Sequence, residues 1–194
     1  MTKPNSNPPW RQHTLPASTN PVIARQLCQM ADLKPTDILL DPFCGCATIP
    51  LIAITEFNIN KSFASDLSGK AIDCAEKNAK LANVKPSQLV LFRSNVSMIK
   101  LPPQSIDKII TNLPFGIRTG THEKNTKYYQ IFAKKCYSLL KPTGIGVILT
   151  QEKKLFLDLF NPKFTVKKIE TVDINGLTPD IFQIKPKPDS AHSK

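Results

Sequence analysis

The 194-residue chain has no run of about eighteen apolar residues, so no membrane-spanning helix is expected. Its first residues, MTKPNSNPPWRQH, lack the apolar block of a secretory signal. The five cysteines (Cys28, Cys44, Cys46, Cys74, Cys136) include no C-x-x-C pair and no metal-ligand array. An odd count without a signal predicts reduced thiols, no metal centre and a cytoplasmic setting. No internal repeat is visible, and the G-x-G-x-x-G dinucleotide fingerprint is missing. Acidic side chains are scarce: 15 Asp and Glu stand against 26 Lys and Arg, a net charge of +11. The surplus is uneven, with ten basic and seven acidic residues in 1–97 but sixteen and eight in 98–194. A charge of this sign fits either a solvated lysine-rich surface or a polyanion partner, most simply nucleic acid.

The length suits one globular domain, and a hydrophobic fraction of 41% is enough for a sizeable core. Residues 1–12, rich in Pro and Asn, read as a flexible arm. Residues 13–186 read as a single domain and 187–194 as a polar tail. Helical spacing predicts helices over 16–33, 47–57, 68–84, 127–140 and 152–160. Short apolar runs bounded by turn residues predict strands over 37–41, 61–66, 87–95, 105–112 and 145–150. Residues 163–174 and 177–185, separated by Asn-Gly, read as a closing hairpin. Strands and helices alternate until that hairpin. The fold class is therefore α/β: a doubly wound, mostly parallel sheet with an antiparallel C-terminal edge. Ligands of such sheets bind outside the carboxyl ends of the strands.

Two motifs fall at those ends. In ILLDPFCGCAT the first strand runs into a small-residue turn around Gly45 and then a helix. Such a turn lets a ligand approach the backbone, while the helix N-terminus offers unpaired N–H groups. A plain packing turn would use the same residues. The second strand ends in Asp66, an acceptor-only carboxylate able to hold two vicinal donors, or alternatively to cap the next helix. The fourth strand ends in TNLPFG, which as a bare turn would put Phe115 in the core.

DPFCGCAT resembles the D-P-F-C-G-S-G-T motif of class I S-adenosylmethionine-dependent methyltransferases. The likeness is closest to the catalytic domain of THUMP-associated RNA guanine-N2 methyltransferases, and runs from about Arg11 to Lys185. It takes in RQHTLPASTNPVIARQL, SFASD, AEKNAKLANV and NLPFG. The resemblance implies S-adenosyl-L-methionine as cofactor. Asp41, Phe43 and the Gly45 turn would line its methionine end, with Thr48 near the carboxylate. Asp66 would accept both ribose hydroxyls, and Asn95 would stand where the family has an acid for the adenine amine. This chain departs from the family at Ala47, which replaces a glycine, at Cys46, which replaces a serine, and at Asn95.

TNLPFG resembles the N-P-P-Y-type signature of enzymes that methylate planar amino groups. An exocyclic amine is a weak nucleophile because its lone pair is delocalised into the ring. The Asn112 side-chain oxygen and the Leu113 carbonyl would grip its two N–H bonds, and Pro114 would fix the backbone between them. Phe115 would stack on the base, Gly116 would leave room, and Arg118 would approach a phosphate or the base, unless it is a solvated loop charge. No metal is called for. The resemblance implies an RNA methyltransferase acting on a guanosine N2 amine in tRNA. The alternatives are an adenine N6 or protein-glutamine methyltransferase, or a non-catalytic methyltransferase-fold RNA-binding module. The chain has no length for a THUMP domain. RNA recognition is therefore expected from a THUMP-like or other partner in trans, from the basic C-terminal half, or from a larger protein of which this is a piece.

Overall fold

Apolar runs bounded by turn residues become the strands. They are Ile38–Asp41 (β1), Lys61–Asp66 (β2), Leu89–Arg93 (β3), Ile106–Asn112 (β4), Leu140–Thr150 (β5), Phe164–Thr171 (β6) and Asp180–Pro186 (β7). They form one sheet of order β3-β2-β1-β4-β5-β7-β6. β1 to β5 pair in parallel, and β7 inserts antiparallel between β5 and β6. This is the doubly wound sheet with an antiparallel edge that the sequence predicts. The computed structural model describes residues 7–16, 18–114, 122–174 and 176–188, the side chains of 122–125 excepted.

The helices are Pro21–Met30 (α1), Thr48–Phe57 (α2), Gly69–Leu81 (α3), His122–Leu139 (α4) and Lys153–Phe160 (α5). Successive strand residues point to opposite faces, and the two faces gather separate cores. Leu39 and Ile110 pack with Leu27, Ile52 and Ala75 of α1, α2 and α3. Leu40 and Ile109 pack with Phe132, Cys136, Phe156 and Phe160 of α4 and α5. The second core is aromatic: Phe156 stacks on Phe160 and Phe182 at 4.1 and 4.9 Å between ring centroids. Each such ring contributes roughly 1.5–3 kcal/mol by leaving water.

Several boundaries differ from the pattern, each for a local reason. α1 begins at Pro21 rather than at residue 16, because Asn20 caps it by accepting from Val22 N and a proline suits the first helical position. Ser68 stands outside α3 as its cap. β3 is shorter than predicted, because Asn95 caps a 3-10 turn over Val96–Met98. α4 runs straight into β5, whose pairing with β4 starts at Leu140 opposite Ile106 and resumes after an irregularity at Ile145 opposite Lys108. The Asn-Gly hairpin turn is closed by reciprocal bonds between Ile174 and Leu177, with Gly176 at φ +82°.

Two expectations change. Residues 7–12, predicted as part of an arm, pack onto the domain, where Trp10 joins the α1–α3 core at 8% exposure. The reduced-thiol expectation fails at one pair: Cys46 and Cys74 form a disulfide, their Cα atoms 5.1 Å apart. The two lie 28 residues apart in the chain, and only the docking of α3 beside the start of α2 brings them together. Cys28, Cys44 and Cys136 are free and buried. Alkylation of the unreduced, denatured chain should therefore find three thiols, and five after reduction. Five without reduction would show that the pair is not bonded. No helix among the described residues is long and apolar enough to cross a membrane.

Candidate active site

The strand order reverses between β1 and β4, and sheets of this kind take ligands outside the carboxyl ends at such a switch point. Asp41 ends β1 there, 1% exposed. Its Oδ1 accepts from Thr111 Oγ1 at 2.7 Å and from Phe43 N at 3.2 Å, tying β1 to β4 and starting the turn. Burial pushes the Asp41 carboxyl up to about 7; the Thr111 and Phe43 bonds oppose this, and the Asp66 charge adds to it.

That value predicts a pH dependence. A carboxyl with a raised folded pKa favours the fold when protonated. Its contribution is complete below the unfolded value of about 4 and is lost as pH rises through about 7. Stability in urea should therefore fall by roughly 1–4 kcal/mol between pH 4 and pH 8, and Asp41→Asn should flatten the fall. Identical pH profiles for both proteins would clear Asp41 as the source.

The turn after β1 is braced by β2. Gly45 takes φ +52°, and a Cβ there would meet nothing within 4 Å, so space lies open beside the backbone. Gly45 N donates to Asp66 Oδ2 at 3.0 Å, and Ser68 N donates to Asp66 Oδ1 at 2.9 Å. Each carboxylate oxygen thus keeps a lone pair. The cap of α3 is Ser68, not Asp66. Ala47 sits at φ 59°, ψ 32°, the left-handed conformation that its family counterpart, glycine, adopts freely. An alanine holds it at a cost of about 1–2 kcal/mol, offset by burial of its methyl. Thr48 opens α2, 2% exposed, and accepts from Arg11 Nε at 3.5 Å. Phe43 turns toward the other core, its ring edge on Phe132 at 5.3 Å. Asn95 is partly spent: its Oδ1 accepts from Ser97 N and Oγ at 3.0 and 3.1 Å.

Asn112 ends β4. Its Nδ2 donates to Thr19 Oγ1 at 3.2 Å, while its Oδ1 is buried without a partner among the described residues. An orphaned buried acceptor costs free energy that only a donor can return. Leu113 is 2% exposed and anchored through its N–H to Leu149 O at 2.9 Å; Pro114 is exposed. Phe115, Gly116 and Arg118 lie outside the described residues. The described site residues therefore gather at the carboxyl ends of β1 to β4.

The sequence reading missed the segment that closes over this site. Asn78, fully buried on α3, accepts from His13 N at 3.0 Å and donates to His13 O at 2.8 Å and Cys46 O at 3.3 Å. It ties His13 to the glycine turn. Its signal was present, an asparagine on the alanine face of α3. Arg11 adds a second tie, reaching Thr48 and the Thr19 carbonyl. The free thiols are poor nucleophiles, because burial holds Cys28, Cys44 and Cys136 well above their ordinary pKa.

Comparison with known proteins agrees with this architecture. The family pattern described as RMKL-like, methyltransferase domain, matches residues 8–178. A tRNA (guanine(6)-N(2))-methyltransferase THUMP3 of Bos taurus is 29% identical, aligning with 92% of this chain and 38% of its own length. The crystal structure of TrmN from Thermus thermophilus superposes with TM-score 0.80 at 27% identity, over 92% of this chain and 52% of that one. The crystal structure of SMU.472 complexed with SAH has the same fold at TM-score 0.74 and 17% identity, over 92% of this chain and 55% of that one. The chain thus spans about a third to a half of the length of the bovine and Thermus thermophilus relatives.

Proposed function

From the premise that the chain belongs to the RMKL-like methyltransferase domain family, we propose that it methylates the exocyclic N2 amine of a guanosine in RNA, most simply a cytoplasmic tRNA, using S-adenosylmethionine. The observation that carries the substrate chemistry is Asn112 Oδ1 at the end of β4, buried and without a partner among the described residues. That atom lacks a donor, and an amine N–H could supply one.

The residues present fit the cofactor. Asp41 and Asp66 bring acidic groups to a ligand that carries a sulfonium and an ammonium. The open side of the Gly45 turn admits it to the backbone. The two spare acceptor sites of Asp66 suit a vicinal diol. Arg11, bonded to Thr48 at the start of α2, supplies positive charge where a carboxylate would meet helix N–H groups. When bound, S-adenosylmethionine supplies an activated methyl group. Asn112 Oδ1 and the Leu113 carbonyl accept the two amine N–H bonds and turn the nitrogen lone pair out of the ring plane. Pro114 would hold the two acceptors in register, and Phe115, outside the described residues, would stack on the base. Orientation of this kind can supply most of the required rate.

Asn95 favours a second reading, a methyltransferase fold that binds RNA without turnover. Its carboxamide oxygen already serves the 3-10 turn, which leaves the adenine amine poorly served. One experiment separates the readings. Unmodified tRNA is incubated with the protein and methyl-labelled cofactor, and its nucleosides are resolved by mass spectrometry. Label in N2-methylguanosine supports the proposal, and label in N6-methyladenosine moves the substrate. No label, with S-adenosylhomocysteine failing to bind by calorimetry, favours the second reading.

The basic C-terminal half would hold the RNA backbone, with a THUMP-like or other RNA-binding partner in trans adding selectivity. Binding of tRNA by this chain should then be steeply salt-dependent. Each neutralised phosphate adds roughly 0.7–0.9 to the slope of log affinity against log salt. A flat response would assign the surplus lysines to solubility.

A further inference from the structure

Asn112 ends a parallel strand, but its carboxamide is gripped by a residue 93 positions away, Thr19, whose Oγ1 accepts from Nδ2 at 3.2 Å. Thr19 is itself held. Arg11 Nη2 donates to its carbonyl at 3.2 Å, and the next residue, Asn20, caps α1. Because Arg11 also reaches Thr48 Oγ1 at 3.5 Å, a continuous brace runs from the start of α2 to the end of β4. The other end of the carboxamide, Oδ1, is buried and unpartnered among the described residues.

A carboxamide has one accepting end and one donating end, exchanged by a half-turn of its terminal bond. Only one orientation offers an acceptor to an amine; the other sets donor against donor. We propose that Thr19 is a positioning residue that holds the Asn112 carboxamide with Oδ1 free for the target amine by engaging its Nδ2. The kinetic consequence rests on the proposed methyl transfer to an amine, whereas the hold itself is a property of the free protein. Without the hydroxyl, Nδ2 loses the partner it has in this structure, and the carboxamide is free to turn about its terminal bond. Part of the population then presents N–H groups to the substrate amine. The defect should appear in the chemical step rather than in binding.

The test uses Thr19→Val, Thr19→Ser and the wild-type chain. Thr19→Ala repeats the measurement should the valine variant fail to fold. In protein carrying 15N-asparagine and no ligand, the Asn112 side-chain pair is identified by its loss in Asn112→Ala. Wild type and Thr19→Ser should show one downfield, slowly exchanging amide proton, absent in Thr19→Val. With unmodified tRNA, Thr19→Val should lower kcat by about ten- to a hundredfold. KM for RNA and affinity for S-adenosylhomocysteine should stay within about twofold, and Thr19→Ser should recover kcat to within about threefold. An Asn112 resonance unchanged in Thr19→Val overturns the proposal, as does wild-type kcat in that variant. Equal loss of kcat in the serine and valine variants would mark a packing role and overturn it too. If the wild type transfers no methyl group, the proposed reaction fails, while the resonance comparison still decides whether Thr19 holds Asn112.

Discussion

Asn112→Ala should cripple the proposed methyl transfer, lowering kcat by a factor on the order of a hundred to a thousand, while S-adenosylhomocysteine binds almost as before. The expected size follows from where the lost atom acts. Oδ1 is buried and unpartnered among the described residues, so no bond seen there has to break when the amine arrives. Its value is largest as the nitrogen lone pair leaves the ring plane, which is a transition-state gain and lowers kcat when removed. Of the cofactor's proposed ligands, the Gly45 turn and Asp66 are joined to each other, and Thr48 and Arg11 reach Asn112 only through Thr19. The substitution also removes the Thr19 bond, worth about 1 kcal/mol, which a folded domain of this size tolerates. The measurement is labelled-methyl incorporation into unmodified tRNA, with calorimetry on the same preparations. Wild-type turnover would remove Asn112 from the reaction and with it the case for an amino-group substrate. A parallel loss of cofactor affinity would assign it to the cofactor pocket instead.

How much of this site could be read in advance depended on chain distance. Asp41, Asp66 and Asn112 were legible because each ends a strand, and in a parallel sheet those ends share one edge. The sheet itself was legible because β1 and β4 are apolar runs bounded by turn residues. Contacts between distant segments left no periodic trace. Thr19 meets Asn112 from 93 residues away, and Asn78 meets His13 from 65. Cys46 and Cys74 carry no spacing rule that would pair them. The N-terminal stretch was misread for a related reason: proline and asparagine suggest an exposed arm, yet Trp10 and Arg11 within it are anchored by the domain. Composition reports average exposure, and a single buried indole is enough to override it. The capping of Val96–Met98 by Asn95 was not legible even at short range, because it is a local competition that position alone does not reveal.

Asp66→Ala should give the second large effect, a loss of cofactor affinity of about five- to a hundredfold or more, corresponding to roughly 1–3 kcal/mol. Two contributions are mixed in that loss. The carboxylate would bind the ribose hydroxyls directly, and it already holds the Gly45 turn and the Ser68 N–H that the cofactor site is built on. Alanine leaves both N–H groups without their acceptor, so the turn loosens even before a ligand arrives. Asp66→Asn separates the two in part, because a carboxamide has a single accepting oxygen and cannot hold Gly45 and Ser68 in the same way. Its affinity should fall between wild type and alanine. A cofactor analogue lacking one ribose hydroxyl completes the cycle. If Asp66 accepts from the diol, wild type should lose affinity for the analogue while Asp66→Ala hardly distinguishes it from S-adenosylhomocysteine, and the coupling energy reports the direct contact. If both proteins lose the same factor, Asp66 contributes only as the brace between the Gly45 turn and α3, and the ribose must be held by other groups.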